Sequence, residues 1–333
     1  MLCAVAIINY RTGGLTVDCL ASLEPEVAAV RAAHAGRGDV RVVVVDNASG
    51  DDSPDIIEKA IAVRGWSGWA TLRRLPRNGG FAYGNNEAIR PFVFGDDAAE
   101  YLWLLNPDTV VREGALVELV RFLDRHPDAG IAGSRLEDPD GTPQSSAFRF
   151  PGVLSELEGG TRFGPVSALL RRHVVAPPPC PADAAPYAVD WMAGASLLVR
   201  REVFETAGFM DERYFMYYEE VAFCREAARA GFGRWYVPQS RVVHLVGQAS
   251  GVTAKGARKR RPSYWFDSRR RYMLTQLGPL RATLADAAWL GGFASWRLRR
   301  ILQRRPDTDP QGLLGDFARH SVFRRGWNAG GSS

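Results

Sequence analysis

The sequence is poor in cysteine and lacks a long uncharged hydrophobic run. Only four cysteines occur in 333 residues, and none has C-x-x-C spacing, which excludes a disulfide framework. No apolar stretch approaches the roughly 18 residues that cross a bilayer. The apolar N-terminus has no basic segment before it and reaches Asn9 and Arg11 too early for a signal peptide. With 46% hydrophobic residues the chain can build a substantial core, so a cytoplasmic globular protein is expected.

Positive charge is concentrated near the C-terminus. Residues 255–305 contain 14 Lys or Arg against only Asp267 and Asp286, a local charge of +12, although the whole chain carries only +5. The rest of the chain is therefore acidic. A basic region beside an acidic body predicts an anionic partner, either a membrane surface or a nucleic acid.

Aromatic side chains alternate with the arginines of this basic region. On a helical wheel Trp289, Phe293 and Trp296 share one face, which Arg297 and Arg300 flank. This pattern is typical of an amphipathic helix that lies in a membrane interface. It is equally typical of a helix that packs its aromatic face on the protein core and exposes its basic face. The sequence leaves both alternatives open.

Short β-branched runs alternate with helical patterns in the first third of the chain. Strands are predicted at residues 3–8, 40–45, 70–75 and 101–105, and helices at residues 15–33, 54–63 and 81–90. Continuous apolar strands separated by helices indicate a mostly parallel sheet with helices on both faces. We therefore predict an α/β fold whose ligands lie at the carboxyl ends of the strands.

Glycine and proline interrupt residues 141–186, which we expect to run irregularly over the surface. Regular structure is expected to resume over residues 187–199, in a helix at 219–230 and in short strands at 233–237 and 241–245. The chain is accordingly divided into an α/β unit over residues 1–250, with parts 1–140, 141–186 and 187–250, a helical basic region over 251–328, and a tail over 329–333.

Polar side chains follow two of the predicted strands. Asp46 and Asn47 come after the second strand, and Asn106 and Asp108 come after the strand at 101–105. A carboxylate at the carboxyl end of a strand, next to the start of a helix, is placed to bind a nucleotide or a metal. The same residue types also form turns and helix caps, which is the simpler alternative at each position.

The segment 77–86 begins a helix with two glycines, Gly79 and Gly80. Glycines let backbone amides approach an anion closely, and Asn78 and Asn85 add side-chain amides. The spacing matches neither G-x-G-x-x-G nor G-x-x-x-x-G-K-[ST], so a dinucleotide-binding dehydrogenase and a phosphate-loop NTPase are not supported. A simple glycine turn before a helix is the alternative.

Two acids, Glu219 and Glu220, occupy the first turn of the helix predicted at 219–230. The helix macrodipole favours acids there whatever the function. However, residues 215–218 are Phe, Met, Tyr and Tyr, and such apolar surroundings raise the pKa of a carboxyl toward the range of a general base. His244 ends a predicted strand soon afterward and is a candidate metal ligand.

Taken in order, these segments resemble glycosyltransferase family 2, which has the GT-A fold, and in particular its bacterial rhamnosyltransferase-like members. The resemblance is carried by residues 8–11 (INYR), 45–49 (VDNAS), 77–85 (RNGGFAYGN), 105–109 (LNPDT), 191–195 (WMAGA), 208–220 (GFMDERYFMYYEE) and His244. It covers about residues 3–250, and residues 265–272 also resemble the family's C-terminal segment.

The resemblance implies a role for each of these residues. Residues 1–140 would bind the nucleotide sugar, and residues 187–250 would provide acceptor binding and catalysis. The implied donor-binding residues are Asn9, Arg11, Asp46, Asn47, Asn78, Gly79, Asn85, Asn106, Trp191 and Gly194. Asp108 matches the last acid of the family's D-x-D motif and would bind Mg²⁺ or Mn²⁺ together with His244. Asp211 and Trp191 would contact the acceptor.

Glu219 and Glu220 match the Glu-Asp pair that contains the family's catalytic base. The match is imperfect, because Glu220 replaces the usual aspartate and Ala222 replaces a second one. The base is therefore Glu220 or Glu219. The same departures admit a catalytically weakened GT-A protein that acts as a membrane-binding or nucleic-acid-binding module.

The implied activity is that of an inverting, metal-dependent glycosyltransferase. It would move a sugar from a dTDP-sugar or UDP-sugar, for example dTDP-rhamnose, to a lipid-linked or polysaccharide acceptor in cell-surface glycan synthesis. Another sugar, such as galactofuranose or an amino sugar, is the alternative within the same fold. The enzyme would be peripheral at the inner face of the cell membrane, with an anionic membrane surface and no nucleic acid as partner. A loop from Gly247 to Gly256 is expected to close over the donor.

Overall fold

The computed structural model describes residues 2–33, 39–181, 183–245 and 259–330, so the loop expected to close over the donor lies outside the described residues. The strands are Cys3–Asn9 (β1), Val40–Asp46 (β2), Ala70–Arg74 (β3), Tyr101–Leu105 (β4), Thr109–Val111 (β5), Ala129–Glu137 (β6), Ala147–Phe148 (β7), Tyr187–Ala188 (β8), Trp191–Met192 (β9), Ser196–Arg200 (β10) and Gly233–His244 (β11). The helices are Gly13–Ala33 (α1), Ser53–Val63 (α2), Gly80–Phe94 (α3), Ala115–Arg125 (α4), Val153–Thr161 (α5), Gly164–Leu169 (α6), Arg201–Ala207 (α7), Glu219–Arg229 (α8), Ser263–Tyr272 (α9), Pro279–Leu302 (α10), Leu313–His320 (α11) and Val322–Arg325 (α12).

The central sheet is parallel in its N-terminal half. Strands β3, β2, β1 and β4 lie side by side in parallel, and Val5 of β1 pairs with Val42 of β2 and Trp103 of β4. The sheet continues through β10, β6, β11 and β5, of which β6 and β11 are parallel to each other, while β8 pairs with β11. The predicted α/β class is confirmed.

Helices cover both faces of this sheet. Val5 of β1 belongs to the apolar cluster that contains Leu20 of α1 and Leu119 of α4. Its neighbour Ala4 points to the other face, into the cluster that contains Ile89 of α3 and Phe223 of α8. Because successive side chains of a strand alternate between faces, a strand covered on both sides must be apolar throughout. This explains the continuous apolar run at residues 3–8.

Residues 233–244 form one long strand where two short strands were predicted. The register of β11 against β6 shifts between Val237 and Arg241. Pro238 lies in this interval and has no N–H to donate to the ladder. The bulge absorbs the interruption, so the strand continues to His244.

Residues 141–186 are more regular than predicted, since α5 and α6 lie within them. A Cβ atom on Gly160 of α5 would lie 2.8 Å from the Trp289 carbonyl oxygen, and one on Gly292 of α10 would lie 2.9 Å from the Thr161 nitrogen. These glycines therefore let α5 and α10 pack closely. The prediction that glycine makes this segment irregular was therefore wrong at Gly160, because a glycine that permits close helix contact looks the same in the sequence.

An internal ion-pair network joins the C-terminal helices. Arg269 of α9 is buried between Glu156 of α5, at 2.7 Å, and Asp286 of α10, at 2.6 Å. The second oxygen of Asp286 accepts a hydrogen bond from the Val322 N–H at the start of α12. Part of the local positive charge is thus neutralised inside the protein.

The aromatic face of α10 packs inward. Phe293 is fully buried, and the Trp289 ring stacks on Phe317 of α11 with centroids 3.9 Å apart. Trp296 packs against the same cluster. Of the two alternatives, core packing is observed, and insertion of these three aromatics into lipid was the wrong interpretation, because α11 covers them. Within the described residues, no helix has the length and apolar character needed to span a membrane.

Candidate active site

The first part of the site lies where β1 and β2 end. The side-chain amide of Asn9 donates hydrogen bonds to Asp46 Oδ1, at 2.7 Å, and to Ser49 Oγ, at 3.1 Å. The Ser49 N–H donates to Asp46 Oδ2 at 3.1 Å. Arg11 joins this network through its Nε, which donates to the Ser49 carbonyl at 2.9 Å. The predicted Asn9, Arg11 and Asp46 are therefore together, and Ser49, which sequence reasoning did not assign to the site, connects them.

A second network places the glycine segment beside β2. Asn47 Nδ2 donates to Asn78 Oδ1 and to the Gly80 carbonyl, each at 3.0 Å. Asn47 Oδ1 accepts a hydrogen bond from the Gly79 N–H at 3.3 Å. Asn78 Oδ1 also accepts one from the Gly80 N–H at 3.0 Å. The backbone at Gly79 and Gly80 is thus held against the end of β2 by two predicted residues.

Asp108 and His244 are close enough to share a cation. His244 Nε2 lies 3.5 Å from Asp108 Oδ1, and both side chains are largely buried. Within the described ranges, no group of three His, Cys, Asp or Glu side chains has metal-binding geometry. Mg²⁺ commonly takes only one or two protein ligands and completes its shell with substrate phosphates and water. An imidazole and a carboxylate therefore suit a cation shared with a diphosphate.

Asn106 and Asn85 make hydrogen bonds to backbone carbonyls outside the two networks described above. The Asn106 N–H donates to the Ala195 carbonyl at 3.0 Å, which brings this turn beside β10. Its buried Oδ1 has no hydrogen-bond partner among the described residues. Asn85 Nδ2 donates to the Phe81 carbonyl within α3 at 2.9 Å, and its Oδ1 is likewise buried and unpartnered within the described part of the chain.

Glu219 and Glu220 open α8 in an apolar environment. Burial, together with the charge of Glu220, raises the pKa of Glu219 well above its ordinary value. Burial raises the pKa of Glu220 to about 7. One carboxyl oxygen of each, Oε2, is buried with no hydrogen-bond partner among the described residues. A carboxyl that is half protonated near neutral pH and has a free oxygen has the properties of a general base.

The turn before α8 is strained. Tyr217 and Tyr218 have φ values of 70° and 69°, in the left-handed region that non-glycine residues seldom adopt. Neighbouring elements hold them there. The Phe81 N–H donates to the Phe215 carbonyl at 2.9 Å, and Ser268 Oγ donates to the Met216 carbonyl at 2.9 Å. Helix α9 of the basic region therefore supports the turn that orients Glu219 and Glu220, a role that sequence reasoning missed.

Gly194 lies directly beside Glu220. A Cβ atom on Gly194 would lie 3.6 Å from Glu220 Cβ and 3.5 Å from Phe81 Cε1. Trp191, in the preceding short strand, stacks on Phe148 with centroids 4.2 Å apart, and its Nε1 donates to the Arg149 carbonyl at 2.8 Å. The aromatic pair has no obvious sequence signal, since the two residues are far apart in the chain.

Asp211 forms ion pairs with two arginines, the exposed Arg213 and the buried Arg271. Its Oδ2 accepts hydrogen bonds from Nη2 and Nε of the buried Arg271, at 2.9 and 3.1 Å, and its Oδ1 accepts one from Arg213 Nε at 2.8 Å. Both oxygens are therefore engaged by arginines, and the carboxylate links the segment before α8 to α9. Contact of Asp211 with an acceptor remains a prediction.

The chain is similar in sequence to proteins of a known family. Residues 5–172 match the family model described as glycosyl transferase family 2. A Mycobacterium tuberculosis protein named N-acetylglucosaminyl-diphospho-decaprenol L-rhamnosyltransferase is 30% identical over 228 residues, which are 64% of this chain and 68% of that protein. The low-salt glycan biosynthesis hexosyltransferase Agl10 of Haloferax volcanii is 27% identical over 201 residues, 58% of this chain and 54% of that protein.

A solved structure with a similar fold is the mannosyltransferase PcManGT from Pyrobaculum calidifontis, in complex with GDP-Man and Mn²⁺. It superimposes with a TM-score of 0.56 at 15% identity, covering 98% of this chain and 84% of that one. At this identity the likeness concerns the fold alone. The predicted GT-A architecture is confirmed.

Proposed function

The chain belongs to glycosyltransferase family 2, and from this premise we propose that it transfers a sugar from a nucleoside diphosphate sugar to a lipid-linked or growing polysaccharide acceptor. A dTDP-sugar or UDP-sugar is the donor, and dTDP-rhamnose is the first to test. The name of the Mycobacterium tuberculosis relative, an L-rhamnosyltransferase whose acceptor is a sugar diphosphate on a polyprenol, supports this choice.

The observation that best supports the proposal is the raised pKa of Glu220, together with its unpartnered carboxyl oxygen. Its pKa is raised to about 7 by burial, and Oε2 is unpartnered among the described residues. As the acceptor hydroxyl attacks C1 of the sugar, this carboxylate takes the hydroxyl proton. The C1–oxygen bond to the diphosphate breaks on the opposite face, so the anomeric centre inverts in one displacement. A single base is sufficient, unlike the two carboxyls of a glycoside hydrolase.

The donor nucleoside lies over the ends of β1 and β2. Asn9, Arg11 and Asp46 form one fixed network there, and Asn47 with Asn78 forms another. Preformed networks of this kind bind a ligand without a large ordering cost. A divalent cation on Asp108 and His244 would neutralise charge on the leaving diphosphate.

We place the enzyme at the anionic inner face of the membrane through the end of α10. Leu298, Ile301 and Leu302 are 60%, 64% and 73% exposed and lie on one face at i, i+3 and i+4 spacing. Arg304 and Arg305 follow and are exposed. Exposed aliphatic residues beside basic ones favour binding to an anionic lipid surface.

A thermal-shift screen tests the proposal. The chain is heated with UDP, dTDP, GDP and their sugars, with and without Mn²⁺ or Mg²⁺. A donor at about 100 times its Kd stabilises the protein by about 2.7 kcal/mol. The best donor is then incubated with a sugar diphosphate on a short prenyl chain, and the anomeric configuration of the product is determined by NMR. Absence of stabilisation by every nucleotide sugar, or a product of retained configuration, would contradict the proposal.

A further inference from the structure

A cavity borders the candidate active site. Its volume is about 620 Å³, which suits a ligand of the size of a sugar diphosphate. Asn78 and Gly79 line it, and so does Phe215, five residues before Glu220. The cavity therefore touches both the predicted donor segment and the segment that carries the candidate base. Arg77, Arg270 and Arg325 form its cationic wall.

These three arginines have no ion pair within the described residues. Arg269 and Arg271, which flank Arg270 in α9, do form ion pairs. Arg270 is only 9% exposed. Its Nη1 donates to the Asn328 carbonyl at 2.5 Å, and its buried Nε has no partner in the described part of the chain. A buried guanidinium without a carboxylate partner is costly, and an anion in the cavity would remove that cost.

Neighbouring acids compensate the positive charge of the three arginines only in part. Burial lowers the pKa of Arg270, the charge of Asp267 raises it, and the nearby positive charge of Arg325 lowers it again. Asp267 also lines the cavity, but its Oδ1 lies 3.0 Å from His320 Nδ1. The remaining acid, Glu212, accepts a hydrogen bond from Asn86 at 2.9 Å. Three arginines therefore face two acids, so the cavity lining keeps a net charge of +1 without counting His320.

The opposite wall is aromatic. Phe215 and Tyr264 line the cavity with ring centroids 5.5 Å apart. A sugar ring can lie against such rings while its phosphates face the arginines. Asn9, Asp46 and Asp108 are not among the described residues that line this cavity, so the donor nucleoside and the candidate cation lie outside it.

We propose that this cavity binds the diphosphate group of a sugar-diphosphate acceptor, with Arg77, Arg270 and Arg325 holding the phosphates and Phe215 with Tyr264 flanking the sugar. The proposal rests on the proposed function and names the part of the acceptor that is recognised. The donor diphosphate is the other source of the same chemistry, and the experiment separates the two.

The first measurement is binding of inorganic pyrophosphate by calorimetry, without any transfer reaction. Arg325→Gln and Arg270→Gln should each weaken binding about 10-fold or more, because each removes a charge-assisted hydrogen bond. Arg324→Gln is the matched control, since Arg324 is the exposed neighbour on α12 and does not line the cavity. Arg325 is itself exposed, so its variant is expected to fold even if Arg270→Gln does not.

The second measurement is steady-state kinetics with the sugar diphosphate on a short prenyl chain. Arg325→Gln should raise KM for this acceptor about 10-fold while KM for the donor stays within twofold. A larger effect on donor KM would assign the cavity to the donor and overturn the proposal, as would equal pyrophosphate binding by Arg325→Gln and Arg324→Gln. If the parent chain transfers no sugar but binds pyrophosphate through Arg325, the proposed function fails while the anion site stands.

Discussion

The backbone of Gly80 lies directly against the carbonyl of Phe215. Gly80 has φ of 88°, and a Cβ atom on it would lie 2.1 Å from the Phe215 oxygen. The next residue, Phe81, donates its N–H to that oxygen at 2.9 Å. The start of α3 and the turn before α8 therefore fit together only if residue 80 has no side chain.

Gly80→Ala should displace the turn that carries Glu219 and Glu220. We expect a lower melting temperature and a loss of turnover of at least about 10²-fold, since small misplacements of catalytic groups have effects of this size. Gly50→Ala is the matched control, because Gly50 also has positive φ, 69°, but nothing lies near its Cβ position. It should cost only about 1–2 kcal/mol of backbone strain. Equal effects of the two variants on turnover would show that the contact with Phe215 is unimportant.

Glu220→Gln should retain donor binding and lose turnover by roughly 10² to 10⁴, because glutamine keeps the size of the side chain but cannot accept a proton. Glu219→Gln is the paired variant. The measurement is kcat with donor affinity determined separately. If Glu219→Gln alone shows this pattern, Glu219 is the base, and if neither does, a base on α8 is excluded.

The pH dependence follows from the same carboxyl. The rate should fall below pH 7, because the base must be ionised and its pKa is raised to about 7. The folded state holds this proton more tightly than the unfolded chain, so the free energy of unfolding decreases as pH rises from 4.5 to about 7 and stays lower above it. Glu220→Gln should therefore raise the melting temperature at pH 8 and change it little at pH 4. An unchanged melting temperature at pH 8 would contradict the raised pKa.

Asp108→Ala should abolish the increase in nucleoside diphosphate affinity that Mn²⁺ or Mg²⁺ produces. The fold should persist, because Asp108 lies in a turn after β4 rather than in an apolar cluster. Calorimetry with and without metal measures the effect. Asp96→Ala, at an exposed position, is the control and should behave as the parent. Retained metal-dependent binding in Asp108→Ala would overturn the assignment of this ligand.

The buried arginine network should be essential to stability. Arg269→Met leaves Glu156 and Asp286 buried without their partner, which typically costs about 3–5 kcal/mol. Arg297 of α10 lies 3.8 Å from Asp307 in a partly exposed pair, so Arg297→Met should change stability by less than about 1 kcal/mol. Denaturant titration of both variants measures the difference, and similar values would show that the network contributes little.

Membrane association should depend on the exposed end of α10. Leu298→Ser, Ile301→Ser and Leu302→Ser together should weaken co-sedimentation with anionic liposomes. Leu280→Ser with Leu284→Ser is the control, because these leucines are also exposed on α10 but lie in its first turns, far from its C-terminal end. No binding of the parent at low salt, or an equal loss in the control, would contradict peripheral association.

Sequence alone determined the class of the fold and the location of the polar groups. Residues 3–8 and 101–105 are continuous apolar runs, and residues 40–45 are interrupted only by Arg41. This pattern is typical of strands that are covered on both faces. Parallel strands bring their carboxyl ends to one edge, so Asn9, Asp46 and Asn106 had to lie near one another. Both inferences need only local periodicity and the connection rules of parallel sheets.

Tertiary structure alone decided which faces are buried and which charges remain without partners. The pattern of Trp289, Phe293 and Trp296 suits lipid and protein equally, and the covering helix α11 resolves it. In the sequence Gly160 looks like an interruption of regular structure, yet in the structure it lies within α5 and permits close contact with α10. The arginines of α9 are adjacent in sequence, but Arg269 has two carboxylate partners and Arg270 has none among the described residues. Burial and pairing depend on residues distant in the chain, so local patterns cannot specify them.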